Sequence, residues 1–179
     1  LYMSISKITK DLQGQNKKFP PVHKWNPELC DGPEFFINRE GEWFYNNSPI
    51  KNTKLINLFS TVLRKDKNDY FLVTPAEKVP VKIELAPYKI IDYLIQDDLV
   101  TFITNLNYSF QLNNKNTTKL IKYEGSSIPI VHVRDNIEGF LDRNTYYNLI
   151  NFALENKYID KDLLYLPSQN INHVIGKID

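Results

Sequence analysis

At 179 residues the chain suits one domain or two small subdomains sharing a core, and 42% apolar with 24% charged residues is ordinary globular composition. Lys and Arg total 22 against 21 Asp and Glu, a net charge of +1, which directs the chain toward neither a nucleic acid polymer nor an anionic membrane. No run approaches the roughly 18 apolar residues that span a bilayer.

The opening LYMSISKITKDLQGQ is polar throughout and lacks the apolar centre of a secretory signal. Residues 1–18 read as a short leading helix or tail, with Ile5, Ile8 and Leu12 at helical spacing and Gly14 breaking the pattern. In FPPVHKWNPELCDGPE, prolines at 20, 21, 27 and 33 each fix their own φ and turn the preceding residue away from helix. An extended arm is expected there, tied down by Val22 and Trp25. Cys30 is the single cysteine, so no intrachain disulfide can form, and a reducing cytoplasm is the expected location.

Residues 35–39 and 43–46 read as a β-hairpin turning at Glu40-Gly41. A helix is expected from Asn52 or Thr53, either of which can cap it, with Leu55, Leu58, Phe59, Val62 and Leu63 forming one apolar stripe. Arg64 then falls at the helix end, and a short strand follows over 70–73. From Val79 the period becomes two: Val79, Val81, Ile83 and Leu85 face one way, Lys82 and Glu84 the other. Further strands are expected at 89–95, 99–104, 108–112, 120–123 and 128–134, separated by Asp, Asn, Gly and Ser turn residues. That run predicts an antiparallel meander rather than βαβ units.

The C-terminal part then repeats the earlier order. A hairpin arm at 137–141, a helix at 144–155 and a strand at 163–167 match the first hairpin, helix and strand, pairing Glu42 with Glu138, Leu58 with Leu149 and Pro75 with Pro167. The expectation is an α+β fold, mostly antiparallel β, with two helix-bearing repeated halves. Its divisions are 1–18, a first subdomain over 19–86 and a β-rich second one over 87–179 that carries the C-terminal helix.

PPVHKWNPELC, REGEWFYNNSPI, LINLFSTVLRKD, DYFLVTPAEKVPVKIELAP and RNTYYNLINFAL closely resemble the bacterial domain-of-unknown-function family 1285, over about 19–155. Cys-Asp-Gly-Pro-Glu departs from that pattern, as does the Asn- and Lys-rich stretch 113–127. The resemblance implies a duplicated α+β core whose second half is pleckstrin-homology-like. It also implies a nucleotide-like ligand at the interface of the halves and a signalling role, with no catalytic activity established.

His23, His132 and His173 are far apart and form no short metal-ligand pair, and neither a phosphate-cradling glycine loop nor a nucleophile motif is present. No cofactor is expected. Glu77 and Lys78 follow a strand end, with Thr74 just upstream and Arg64 near; Arg, Lys and a hydroxyl can receive a phosphate or carboxylate. The same residues also read as a surface ion pair and a helix-terminal arginine. Trp43, Tyr45 and Tyr147 are candidate aromatic walls, and Arg134 and Arg143 bracket the second hairpin. A non-catalytic small-molecule-binding module is the leading expectation. The alternative is a protein-interaction adaptor using the second half, and the third is an enzyme with Glu77 as acid or base.

Overall fold

The computed structural model describes residues 19–179, so the leading helix or tail expected over 1–18 lies outside the described residues. The chain divides into two compact units, Leu1–Leu85 and Ala86–Asp179.

Among the described residues the first unit is a six-stranded sheet with one α-helix. Strands β1 (Phe35–Ile37), β2 (Trp43–Tyr45) and β3 (Ser48–Pro49) precede helix α1 (Thr53–Ser60); β4 (Leu63–Asp66), β5 (Asp69–Val73) and β6 (Lys78–Ile83) follow it. The spatial order is β3-β2-β1-β6-β5-β4. All neighbours are antiparallel except β1 and β6, which run parallel with Phe35 opposite Val81. Asn46 and Asn47 both take positive φ, 49° and 64°, the conformation that a two-residue hairpin needs and asparagine tolerates. Phe35, Ile37, Trp43, Phe59, Leu63 and Leu72 are buried, and an edge-on contact of Phe59 with Phe35 (5.3 Å between centroids) holds α1 to the sheet.

The first helix is shorter than its apolar stripe predicts. Asn52 caps it by accepting the Leu55 N–H, as expected, but it ends at Ser60. Ser60 Oγ and Thr61 Oγ1 each donate to the carbonyl three residues back, at 2.6 Å. Such bonds compete with the helical ladder, and β-branched Thr61 and Val62 weaken it further. Leu63 and Arg64 consequently lie on β4, opposite Leu72 and Phe71. Arg64 is a strand residue, not a helix terminus.

The second unit carries another six-stranded sheet, β7 (Tyr88–Gln96), β8 (Leu99–Thr104), β9 (Ser109–Gln111), β10 (Thr118–Tyr123), β11 (Ser126–Arg134) and β12 (Ile137–Leu141), followed by helix α2 (Arg143–Glu155). Its order, β10-β11-β12-β7-β8-β9, is that of the first sheet: two three-stranded meanders joined through their first and last strands, here β7 and β12 in parallel. The expected single antiparallel meander is thereby corrected, because the chain returns to its first strand. Asp97 and Asp98 take positive φ at the β7–β8 turn, as their turn chemistry foretold.

Asp142 caps α2 by accepting from Thr145 N at 2.8 Å, and the helix buries Thr145, Leu149 and Ala153 while packing on β7. It packs also on β14 (Leu163–Ser168) and β15 (Ile171–Lys177), which with β13 (Ile159–Asp160) form a three-stranded sheet. A sheet followed by its helix is the order of the pleckstrin-homology-like expectation. The two halves thus repeat, but not in the register of the sequence. Alignment of helix on helix sets β5, inside a six-stranded sheet, against β14, inside the small one.

Candidate functional site

The first-unit sheet has one face toward its core, through Phe35, Ile37, Val79 and Val81, and one face away from it. On the outer face Phe36 is opposite Lys82, and Phe71 is opposite Pro80. β6 lies between them, so the Phe36 and Phe71 backbones stand about 12 Å apart, two interstrand spacings across and two residues along the strand. They line a groove of ≈ 620 Å³ together with Glu34, Asp69, Lys82 and Glu84. That volume lies within the range of small-molecule sites, about 300–1,000 Å³.

Lys82 Nζ is spent on Glu34, at 2.9 Å, and the Glu84 carboxylate accepts the Arg39 N–H at 2.8 Å. Beside the groove Lys78 Nζ sits 4.1 Å from the Phe71 ring centre and 3.1 Å from Asp66 Oδ2. One face of Phe71 thus already holds a cation.

The residues singled out in the sequence are placed unevenly. Arg64 is buried, and four of its five N–H donors are directed. Nη1 donates to the carbonyls of Val22 and Trp25, both at 2.7 Å, while Nε and Nη2 grip the two oxygens of Asp66 at 2.9 Å. The arginine clamps the N-terminal arm onto β4, so Val22 and Trp25 do tie that arm, through their carbonyls. The Arg64 hydrogen bond, helped by Lys78, holds the Asp66 carboxyl below its ordinary value, against the opposing effect of burial.

Thr74 and Glu77 are 0% and 2% exposed, not displayed at the strand end. Thr74 Oγ1 accepts the N–H groups of Ala76 and Glu77, closing the turn between β5 and β6. Trp43 is core at 1% exposure, and Tyr45 is half-buried against Phe35 at 4.7 Å.

In the second unit Arg134 is buried. Its Nε donates to Tyr88 Oη at 2.8 Å and its Nη1 to Asp135 at 2.7 Å. Burial pushes the Tyr88 phenol up, while Arg134 acts in the opposite sense. Arg143 and Tyr147 are exposed one turn apart on α2. Among the described residues no three His, Cys, Asp or Glu side chains gather as a metal site, and no helix is long and apolar enough to cross a membrane.

Of the residues singled out, Lys78 borders the groove through Phe71, and Arg64 meets Lys78 at Asp66. Its lining residues were not singled out. Their signal was present in the two-residue alternation that turns Lys82 and Glu84 outward. Phe36 and Phe71 escaped notice because an aromatic inside an apolar strand reads by default as core.

Fold and groove together define a two-unit α+β protein with duplicated six-stranded sheets and an open surface concavity. Residues 20–86 match the N-terminal domain of a family described as a domain of unknown function, DUF1285, and residues 87–175 match its C-terminal domain. The chain belongs to the DUF1285 family. A crystal structure of a DUF1285 family protein from Silicibacter pomeroyi DSS-3 is 28% identical, with a TM-score of 0.81, over 96% of this chain and 95% of that one. Another, from Shewanella baltica OS155, is 29% identical with a TM-score of 0.55, over 66% of this chain and 91% of that one. No curated protein matches the chain.

Proposed function

We propose that this protein is a non-catalytic, cytoplasmic ligand-binding module with a signalling role, and that the outer groove of the first unit takes a small ring-bearing ligand. The observation that carries the reading is the pair of half-buried rings, Phe36 and Phe71, flanking Pro80 and Lys82 in a groove of ≈ 620 Å³. A flat ring stacks on such faces at low cost in side-chain ordering. The nucleotide-like ligand implied by the resemblance is narrowed here to its unphosphorylated, base-bearing form. Arg64, Thr74, Glu77 and Lys78 then act as the support of the groove: Lys78 fixes Phe71, Arg64 and Asp66 fix Lys78, and the Thr74 turn sets β5 against β6. The single Cys30 is in keeping with a reducing compartment.

Thermal unfolding with adenosine, guanosine and indole tests this. A ring compound at a hundredfold excess over its Kd should stabilise the protein by about 2.7 kcal/mol. Phe71→Ala and Phe36→Ala should each abolish the shift. If no ring compound raises Tm, or if both variants keep the shift, the reading is wrong.

A second reading, a protein-interaction adaptor, is favoured by the apolar side chains that the second unit exposes, Leu163 on β14 among them. It predicts a defined partner whose capture is lost on Leu163→Asp.

A further inference from the structure

The groove also has a sign. Its lining includes three carboxylates, Glu34, Asp69 and Glu84, and one cation, Lys82, which is engaged with Glu34 at 2.9 Å. Asp69 and Glu84 are both exposed. By strand register Asp69 on β5 lies beside Lys82 on β6, and Glu84, two residues beyond Lys82 and just past the end of β6, lines the same groove. A phosphate brought there meets like charge. The Lys78 ammonium at the edge of the groove, 4.1 Å from the Phe71 ring centre, is matched by the Asp66 carboxylate at 3.1 Å and so leaves the excess of negative charge there standing.

We infer that the groove selects a ligand bearing a positively charged group, an amine or guanidinium, next to its ring, and discriminates against phosphorylated or carboxylated relatives. This rests on the ligand-binding reading above and deepens it. The ring lies between Phe36 and Phe71, and the cation projects toward Asp69 and Glu84. Lys82, by neutralising Glu34, sets how strong the preference is.

Three probes with one ring and different charge test the inference: tryptamine, indole and indole-3-acetate, titrated by calorimetry on the full chain. Tryptamine should bind about five-fold tighter than indole and indole-3-acetate about five-fold weaker, the size expected of two solvent-exposed charge pairs. The spread should shrink at high salt, because exposed charges are screened. The tryptamine-to-indole ratio should fall toward one in Asp69→Asn/Glu84→Gln and rise in Lys82→Met, which leaves Glu34 unneutralised. These surface changes preserve hydrogen-bonding capacity or chain length, and circular dichroism checks each fold. Equal affinity for all three probes overturns the charge inference while leaving ring binding intact. Tighter binding of indole-3-acetate overturns it outright. No binding by any probe removes both this inference and the ligand-binding reading.

Discussion

Asp66 shows how one carboxylate can organise its surroundings. It receives two bonds from Arg64 and an ion pair from Lys78, and Arg64 in turn holds the carbonyls of Val22 and Trp25. Asp66→Ala leaves a buried guanidinium without its carboxylate, two of its bonds unmade, which costs about 1–3 kcal/mol. Urea unfolding should show that loss, and limited proteolysis should cut faster within residues 19–30, where the arm has lost its clamp. The pH dependence follows from the depressed carboxyl. Its stabilisation is complete above the ordinary value of 3.8 and is lost as pH falls through the lower folded value. Asp66→Asn should therefore flatten the acid limb of the stability curve. None of this was legible in the sequence, where Arg64 appears as a solvent-facing group at a helix end. The error arose one level up, in the helix itself: a continuous apolar stripe cannot reveal that two hydroxyls will turn back on their own carbonyls.

At the scale of elements, close approach and buried bonds fix the second unit. Gly139 on β12 lies opposite Tyr88 on β7, and a Cβ there would meet Tyr88 Cβ at 3.0 Å, the Tyr88 carbonyl at 3.1 Å and Val133 Cγ2 at 3.1 Å. Two of the three contacts belong to a central strand that cannot yield easily. Gly139→Ala should cost about 1–3 kcal/mol by overpacking, seen as a lower denaturation midpoint with unchanged slope. Ser168, fully buried on β14, accepts the Val100 N–H at 3.0 Å and donates to the Leu112 carbonyl at 2.7 Å, so it bolts the small sheet to the large one. Ser168→Ala should destabilise by about 1–3 kcal/mol and accelerate hydrogen exchange at Val100. Strands such as β8 and β14 were readable because they are short apolar runs bounded by turn residues. β15 was not, since its His173, Gly176 and Lys177 interrupt the apolar pattern; its assignment comes from pairing with β14.

For the molecule as a whole, the α+β class, the helix-bearing halves and the family were legible, because long amphipathic segments and five extended stretches of likeness carry that information. The register of the repetition was not, since helix-on-helix alignment ignores which sheet a strand joins, and only long-range pairing decides that. The parallel pairs at the middle of both large sheets have a further consequence for synthesis. β1 has no partner on its inner edge until β6 has left the ribosome, and β7 waits in the same way for β12. A nascent chain halted before Lys78 therefore presents two unjoined fragments with open backbone edges, the state most exposed to aggregation and chaperone capture.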